Sequence, residues 1–306
     1  MARNPTDDVS QVVLLLDVNP FFWGAEAASG GRSNGSGGLA FDQYFQHALM
    51  FVNGILLLNH TNRIVIIATG SSTCAFLYDS TATDGINGSS VTSKANKKTQ
   101  VSRTELITKS MQEFVSKEEE ASKESSQIQY SNISGSLSMA LCYIQRVLRG
   151  PLPHPQARIL CLQGSPDAPY QYISVMNSIF SAQRNGVVID ACVVGSQHSA
   201  FLQQATHITG GIYMKPPQPD GLFEYLMMVF TTDLFSRQFL QLPRPVGVDF
   251  RASCFCHKKT IDMGFVCSVC LSIFCKHHQT CSTCGATFSR SNSTTVTGMK
   301  RKAPGS

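Results

Sequence analysis

The chain has 306 residues, 42% of them hydrophobic and only 15% charged, with a formal net charge of +5. Its length is ample for one domain of ordinary size plus a smaller appendage, and its composition excludes wholesale disorder, a coiled coil and a highly charged tail protein. Residues 1–10 contain no apolar signal region, and the longest apolar runs, 12–16 and 226–230, fall far short of a membrane span. The expectation is a soluble, intracellular chain with no membrane partner, in which the sequons at Asn59, Asn87, Asn132 and Asn292 carry no weight.

In chain order, short β-branched apolar runs alternate with longer stretches of helical period, the pattern of a mostly parallel sheet covered on both faces. Strands are expected at 12–17, 63–69, 74–78, 158–162, 187–194 and 211–215. The clearest helix places Phe41, Phe45, Ala48, Leu49, Val52, Ile55 and Leu56 on one face. Others are expected at 135–148, 170–184, 200–207 and 222–230. With right-handed crossovers these elements make a doubly wound, open α/β domain over residues 1–243. Polar, Gly-rich stretches at 29–38 and 80–102 read as surface loops, and the Glu118, Glu119 and Glu120 run within 116–127 as a wet helix end entering a loop. Pro243 and Pro245 mark a linker, and residues 291–306 read as a disordered basic tail.

Function in such a sheet sits beyond the carboxyl ends of the strands, which directs attention to Asp17. No Gly-rich dinucleotide loop, phosphate-binding loop or nucleophile elbow is present, so no catalytic residue is assigned. Ser136 opens a helix and reads as a cap or first-turn residue, and Cys142, Cys161 and Cys192 read as small buried hydrophobes. The run Leu16-Asp17-Val18-Asn19-Pro20, with Leu202-Gln203-Gln204-Ala205 and Thr209-Gly210-Gly211-Ile212-Tyr213, resembles a von Willebrand factor A-like domain. That family's metal site needs Asp-x-Ser-x-Ser on the first loop. Here Asn19 and Phe21 stand where the serines belong, and Gln163 takes the place of a further aspartate. Asp17 is left as nearly the sole hard oxygen ligand, so no Mg²⁺ is expected there. The reading for Asp17 is a carboxylate that accepts backbone N–H bonds and fixes the neighbouring loops.

Seven of the eleven cysteines lie between Cys254 and Cys284, and residues 251–306 sum to a formal +7 against −2 for residues 1–250. Cys267-x-x-Cys270 and Cys281-x-x-Cys284, ten residues apart, are a strong zinc signal, because each short loop places two thiolates on one tetrahedral edge. Residues 250–290 therefore read as a zinc module whose folding requires the metal. Cys254, Cys256 and Cys275 are left over. With His257, His277 or His278 they form a candidate second site in a cross-braced arrangement; one zinc is the first reading and two the second. The apolar residues around the knuckles exceed what one small core needs, so some are expected to dock onto another surface.

The combination of the degenerate α/β domain with Cys254-Phe-Cys256-His257 and residues 264–275, Gly-Phe-Val-Cys-Ser-Val-Cys-Leu-Ser-Ile-Phe-Cys, is similar to the family of the smaller von Willebrand A-type subunit of the general transcription and DNA repair factor IIH (TFIIH) core. Residues 17–24 and 140–144 resemble it too. The resemblance implies a non-enzymatic scaffold in the nucleus, paired with a sister subunit that carries its own von Willebrand A-like and zinc modules. Other core subunits complete the complex, and DNA is met only indirectly. It further implies roles in RNA polymerase II transcription initiation and nucleotide excision repair. Two other classes stay open at this point, a zinc-dependent nucleic-acid binder using the basic C-terminal region and a RING-like ubiquitin ligase.

Overall fold

The computed structural model describes residues 10–28, 39–59, 61–81, 102–123, 130–150, 155–243, 254–257 and 261–288. Two compact units divide the chain, residues 1–248 and 249–306. The expected loop at 29–38, nearly all of that at 80–102, the linker beyond Pro243 and the basic tail lie outside the described residues. Among the described residues, no helix is long and apolar enough to cross a membrane.

The first unit begins with β1 (Ser10–Asp17), α1 (Pro20–Ala28), α2 (Phe41–Leu58), β2 (Arg63–Thr69), β3 (Cys74–Asp79) and α3 (Arg103–Lys123). It continues with α4 (Ile133–Leu148), β4 (Gln156–Gln163), α5 (Tyr172–Arg184), β5 (Val188–Val193), α6 (Ala200–Thr209) and β6 (Tyr213–Met214). A last helix, α7, opens at Leu222–Tyr225 and widens into a π-helical turn at Leu226–Phe230. The strands lie in the order β3-β2-β1-β4-β5-β6. All neighbours are parallel except β2 and β3.

β1 sits at the centre, and its residues from Gln11 to Asp17 are all buried, as a strand covered on both faces requires. Alternation survives in what each side chain touches. Val12, Leu14 and Leu16 join a core with Trp23, Tyr44, Phe51, Met111 and Phe230, whereas Val13 and Leu15 join one with Leu137, Ile144, Val175 and Leu202. Helices α1, α2, α3 and α7 thus cover one face, and α4, α5 and α6 the other. Each Leu or Ile withdrawn from water contributes roughly 1.5–3 kcal/mol before chain entropy is charged against it. From β1 the sheet grows to one side through β2 and to the other through β4, so the ends of β1 and β4 form the topological switch point.

Two helices depart from the sequence reading. Where a loop was expected after Asp17, α1 starts at once: Asn19 accepts the N–H of Phe21 (3.0 Å) and Pro20 takes the first helical position, a cap followed by a residue with no N–H to satisfy. The 116–127 stretch is the expected helix end as far as Lys123, where the long helix α3 stops, and residues 124–127 lie outside the described residues; the departure is at Glu118. On that helix Glu118 is only 2% exposed, because it continues the buried stripe of Ile107, Met111 and Phe114; Glu119 and Glu120 are exposed as expected. Cys142, expected to be buried, is exposed, while Cys161 and Cys192 are buried. Ser136 lies in the first turn of α4, donating to the Ile133 carbonyl, and Asn132 caps that helix.

The second unit is small. β7 (Phe265–Val266) and β8 (Ile273–Phe274) pair antiparallel, with Phe265 opposite Phe274 and Val266 opposite Ile273. Cys267, Phe274 and Cys281 are buried together, with Phe255, Ala286 and Phe288 partly buried against them. A core of that size is too small to hold a fold by itself.

Candidate functional site

Asp17 ends β1 at the switch point and is 1% exposed. Its Oδ2 accepts the backbone N–H groups of Gly164 (3.0 Å) and Ser165 (2.6 Å), and its Oδ1 accepts that of Asn19 (3.2 Å). The side chain therefore joins the loops that follow β1 and β4. Burial pushes the Asp17 carboxyl pKa up, and the hydrogen bonds from Ser165, Gly164 and Asn19 oppose that shift without cancelling it. The main chain here is held as well: the Tyr44 hydroxyl accepts from the Asp17 N–H (3.2 Å) and donates to the Leu162 carbonyl (3.0 Å), and Trp23 Nε1 donates to the Asp17 carbonyl (2.9 Å).

The neighbouring positions have tasks of their own. Asn19 caps α1, and the Gln163 amide donates to the Ser165 carbonyl at 3.0 Å. The Phe22 ring presses on the loop after β4 so closely that a Cβ on Gly164 would lie 2.5 Å from its Cε1. Glycine is needed there to let the aromatic ring close over the strand ends. Two groups of metal-ligating side chains converge among the described residues, and Asp17 is in neither.

The first group is Cys267, Cys270, Cys281 and Cys284, whose ligand atoms all lie within 4.8 Å of one another. Cys267 and Cys284 Sγ are 3.7 Å apart, and Cys270 and Cys281 Sγ 3.5 Å. A tetrahedron with Zn–S bonds of about 2.3 Å has an edge of about 3.8 Å, so the four sulfurs fit zinc. The two loops are built alike. Cys267 N–H donates to Ser272 O and Leu271 N–H to Cys267 O, both at 2.9 Å; Cys281 N–H donates to Ala286 O (2.8 Å) and Gly285 N–H to Cys281 O (2.9 Å). In each loop the residue after the second cysteine is left-handed, Leu271 at φ 59° and Gly285 at φ 73°. That turn brings the chain back past its own cysteines.

The second group consists of Cys254, Cys256, His257 and Cys275, again within 4.8 Å. Of the three histidines left open by the sequence, His257 is the one that joins. The His277 ring instead stands edge-on to Phe265 and that of His278 edge-on to Phe274.

Two polar clusters escaped the sequence reading. The Glu118 carboxylate is gripped by the β2–β3 turn: Oε2 accepts the N–H and hydroxyl of Ser71, both at 3.0 Å, and Oε1 accepts Thr73 N–H and the Ser72 hydroxyl, also at 3.0 Å. Burial alone would raise the Glu118 pKa, but the hydrogen bonds from Thr73, Ser72 and Ser71 outweigh it and hold the carboxyl below its ordinary value. The stripe of Ile107, Met111 and Phe114, extended by four residues, was the available signal.

The other cluster centres on Asp190 in β5, which takes both terminal nitrogens of Arg237 (2.9 and 2.6 Å) and the Ile212 N–H (2.9 Å). Buried Arg158 lies 3.8 Å from the same carboxylate and donates to Thr232 O at 2.7 Å. Burial pulls the Arg158 pKa down to about 10, with Asp190 opposing. A single charge in each of two apolar strands, opposite in sign, was the signal for this pair.

The family model described as transcription factor Tfb4 matches residues 9–285. The general transcription and DNA repair factor IIH subunit TFB4 of Arabidopsis thaliana is 54% identical, over 99% of this chain and 98% of that protein. Subunit 3 of general transcription factor IIH from Dictyostelium discoideum is 39% identical, over 82% of this chain and 69% of its own. Subunit tfb4 from Schizosaccharomyces pombe is 35% identical, over 94% and 92% respectively. Among solved structures, the TFIIH p34 N-terminal domain superposes with a TM-score of 0.52 at 24% identity, covering 73% of this chain and 99% of that one, a likeness of fold. Because the matches run through both the α/β unit and the cysteine-rich unit, the chain belongs to the transcription factor Tfb4 family.

Proposed function

We infer that the chain is a non-enzymatic structural subunit of the TFIIH core complex and acts in RNA polymerase II transcription initiation and nucleotide excision repair. The observation that carries this reading is the 54% identity to a TFIIH subunit over 99% of the chain. The geometry supports it. At the switch point, where open α/β sheets bind their ligands, Asp17, Tyr44 and Trp23 satisfy one another and the adjacent loops. The fold there presents shape.

Zinc bound by Cys267, Cys270, Cys281 and Cys284 would be structural, since four protein ligands leave no open position for chemistry. Binding of that kind supplies roughly 10 kcal/mol or more, enough to fold a unit with so small a core. Around it Met263 (88%), Phe265 (53%), Val266 (58%), Val269 (70%) and Leu271 (59%) remain exposed. Such a surface suits a protein partner. The proposed partner is the sister subunit with its own von Willebrand A-like and zinc modules, alongside other core subunits, in the nucleus and with DNA met only through them.

Affinity purification with crosslinking from nuclear extract tests this. Co-purification with the sister subunit is expected to persist at about 0.5 M salt, because apolar burial is not screened as phosphate contacts are. A stable monomer that binds DNA tightly with a steep salt dependence, and that captures no TFIIH subunit, would contradict it.

A further inference from the structure

We propose that the seam between α2 and α7 on the α/β unit docks a basic, amphipathic helix of a partner protein. This goes beyond the function argued above, which gives that seam no role and places its partner surface on the cysteine-rich unit. The two helices lie side by side. A Cβ on Gly54 would fall 2.8 Å from Met227 Sδ, so glycine in α2 lets α7 come close. Because α2 joins the parallel strands β1 and β2, it runs back towards their amino ends. α7 runs the same way, since Thr232, just beyond it, accepts from Arg158 near the start of β4.

The face these helices leave to solvent is apolar. On α2 the exposed Met50, Leu57 and Leu58 fall on one helical stripe together with Gly54. Leu57 is 85% exposed and Met228 on α7 is 78% exposed, so folding of the unit itself accounts for neither. Past the ends of both helices the seam opens into a cavity of about 680 Å³ lined by Ile55, Leu58, Asp233, Phe235 and Phe239 among others. The Phe235 and Phe239 rings stand edge to face, 5.4 Å between centroids, and both are exposed. Pockets of about 300–1,000 Å³ take drug-sized ligands, so there is room here for bulky anchor side chains. Exposed apolar surface of this extent marks a binding face, and methionine adapts its shape to the side chains of a partner.

Charge selects the occupant. Residues 39–62 and 216–236, which hold both helices and the turns beside them, contain four acids, Asp42, Asp220, Glu224 and Asp233, and no Lys or Arg. Asp42, Asp220 and Glu224 are exposed. Arg158, which lines the cavity, and Arg237 are both held by Asp190. An acidic, apolar face repels anionic lipid and nucleic acid, and it repels a second copy of itself. The chain's own tail carries Lys300, Arg301 and Lys302, but the Ser/Thr-rich residues before them have no apolar stripe. Backbone groups along α2 and α7 are paired within each helix, so an extended segment gains no main-chain hydrogen bonds there. A third helix packs its ridges into the valley between the two. α2 has 18 residues, a length of about 27 Å. A helix of similar length sets its apolar side chains over Met50, Leu57 and Met228 and its Lys or Arg against the acids at either end.

Fluorescence anisotropy of the full chain, purified with zinc, tests this with three labelled probes of about 18 residues. One is an amphipathic Leu/Lys helix, one a Leu/Glu helix of the same pattern, and one the Leu/Lys composition scrambled to remove the period. The Leu/Lys helix is expected to bind at least about tenfold tighter than either of the others. Leu57→Asp with Met228→Asp, two exposed positions whose change leaves the fold intact, is expected to weaken it by about tenfold or more. Glu224→Lys with Asp233→Lys is expected to move the preference towards the Leu/Glu helix. Met263→Asp with Val269→Asp, in the cysteine-rich unit, is expected to leave binding unchanged, so a failure at the seam leaves the TFIIH reading standing. Equal affinity for all three probes, binding indifferent to Leu57 and Met228, or a preference unmoved by the charge reversal would overturn the proposal. So would dimerisation abolished by Leu57→Asp, which gives the seam to a second copy, and binding that emerges only when residues 291–306 are deleted, which gives it to the chain's own tail.

Discussion

Two places in this chain gather potential ligands from loops distant in sequence, and they differ in what satisfies those ligands. At the tip of β1 the Asp17 oxygens accept backbone N–H groups from Asn19, Gly164 and Ser165. In the cysteine-rich unit seven thiols and one imidazole converge in two groups, and most of their contacts are with one another. A carboxylate supplied with backbone donors fixes loops without a cation, whereas thiolates packed at 3.5–3.7 Å repel unless a cation sits among them. The expectation drawn from this contrast is that converging residues hold a metal when their partners are each other, and staple loops when their partners are the main chain.

The comparison breaks most visibly if the four-cysteine site is removed. Cys267→Ser with Cys284→Ser is expected to abolish folding of residues 254–288, a loss on the order of 10 kcal/mol, while the melting of the α/β unit stays put. Limited proteolysis with intact-mass readout checks both halves of that statement. A folded, metal-free module would refute the contrast.

Within the α/β unit the largest effect is expected at the buried ion cluster. Arg237→Ala leaves Asp190 charged, buried and paired only with the more distant Arg158, at a cost of about 3–5 kcal/mol in denaturant unfolding. Next comes Asp17→Asn, which puts an amide where an acceptor faces three N–H groups and is expected to cost about 2–3 kcal/mol. Calorimetry on the same pair of proteins is expected to detect no Mg²⁺ binding below the millimolar range in either. Micromolar binding that vanishes in the variant would show that Asp17 remains a ligand.

Glu118→Gln is expected to cost about 1–2 kcal/mol and to raise hydrogen exchange in α3 and the β2–β3 turn. The folded Glu118 pKa lies below its ordinary value of 4.5, so its contribution is present above that value and is lost as pH falls through the folded one. Acid is therefore expected to loosen α3 in wild type and to do so less in Glu118→Gln. The smallest effects lie in the knuckles: Gly285→Val forces a β-branched side chain to φ 73° and costs about 1–2 kcal/mol. Leu271→Gly relaxes the equivalent position, raising zinc affinity slightly in a chelator competition.

Much of this was legible in the sequence. The strand at 63–69 matches β2 residue for residue, because the β-branched apolar run Ile64-Val65-Ile66-Ile67 at its centre has few alternatives. The four cysteines of the first group came from spacing alone, since Cys-x-x-Cys sets its own geometry. α1 was missed because Asn19-Pro20 was weighed as a degraded metal loop when it is equally a helix start. Glu118 was misread because a run of three acids hides the one that continues a buried stripe, and the role of Arg237 depends on a contact with Asp190 across 47 residues that no local pattern announces. The fourth member of the second cysteine group was beyond spacing too: three histidines lay within reach, and only the fold separates His257 from the two that pack on Phe265 and Phe274.

Hydrogen exchange of the full chain, measured with and without a strong zinc chelator and read peptide by peptide, tests the contrast between the two regions most directly. The account predicts that chelation abolishes protection across residues 265–285 while β1, β4 and the loop at Gly164 keep theirs, and that added Mg²⁺ changes neither. Protection of the cysteine-rich unit that survives complete removal of metal, or loss of protection around Asp17 on chelation, would contradict it.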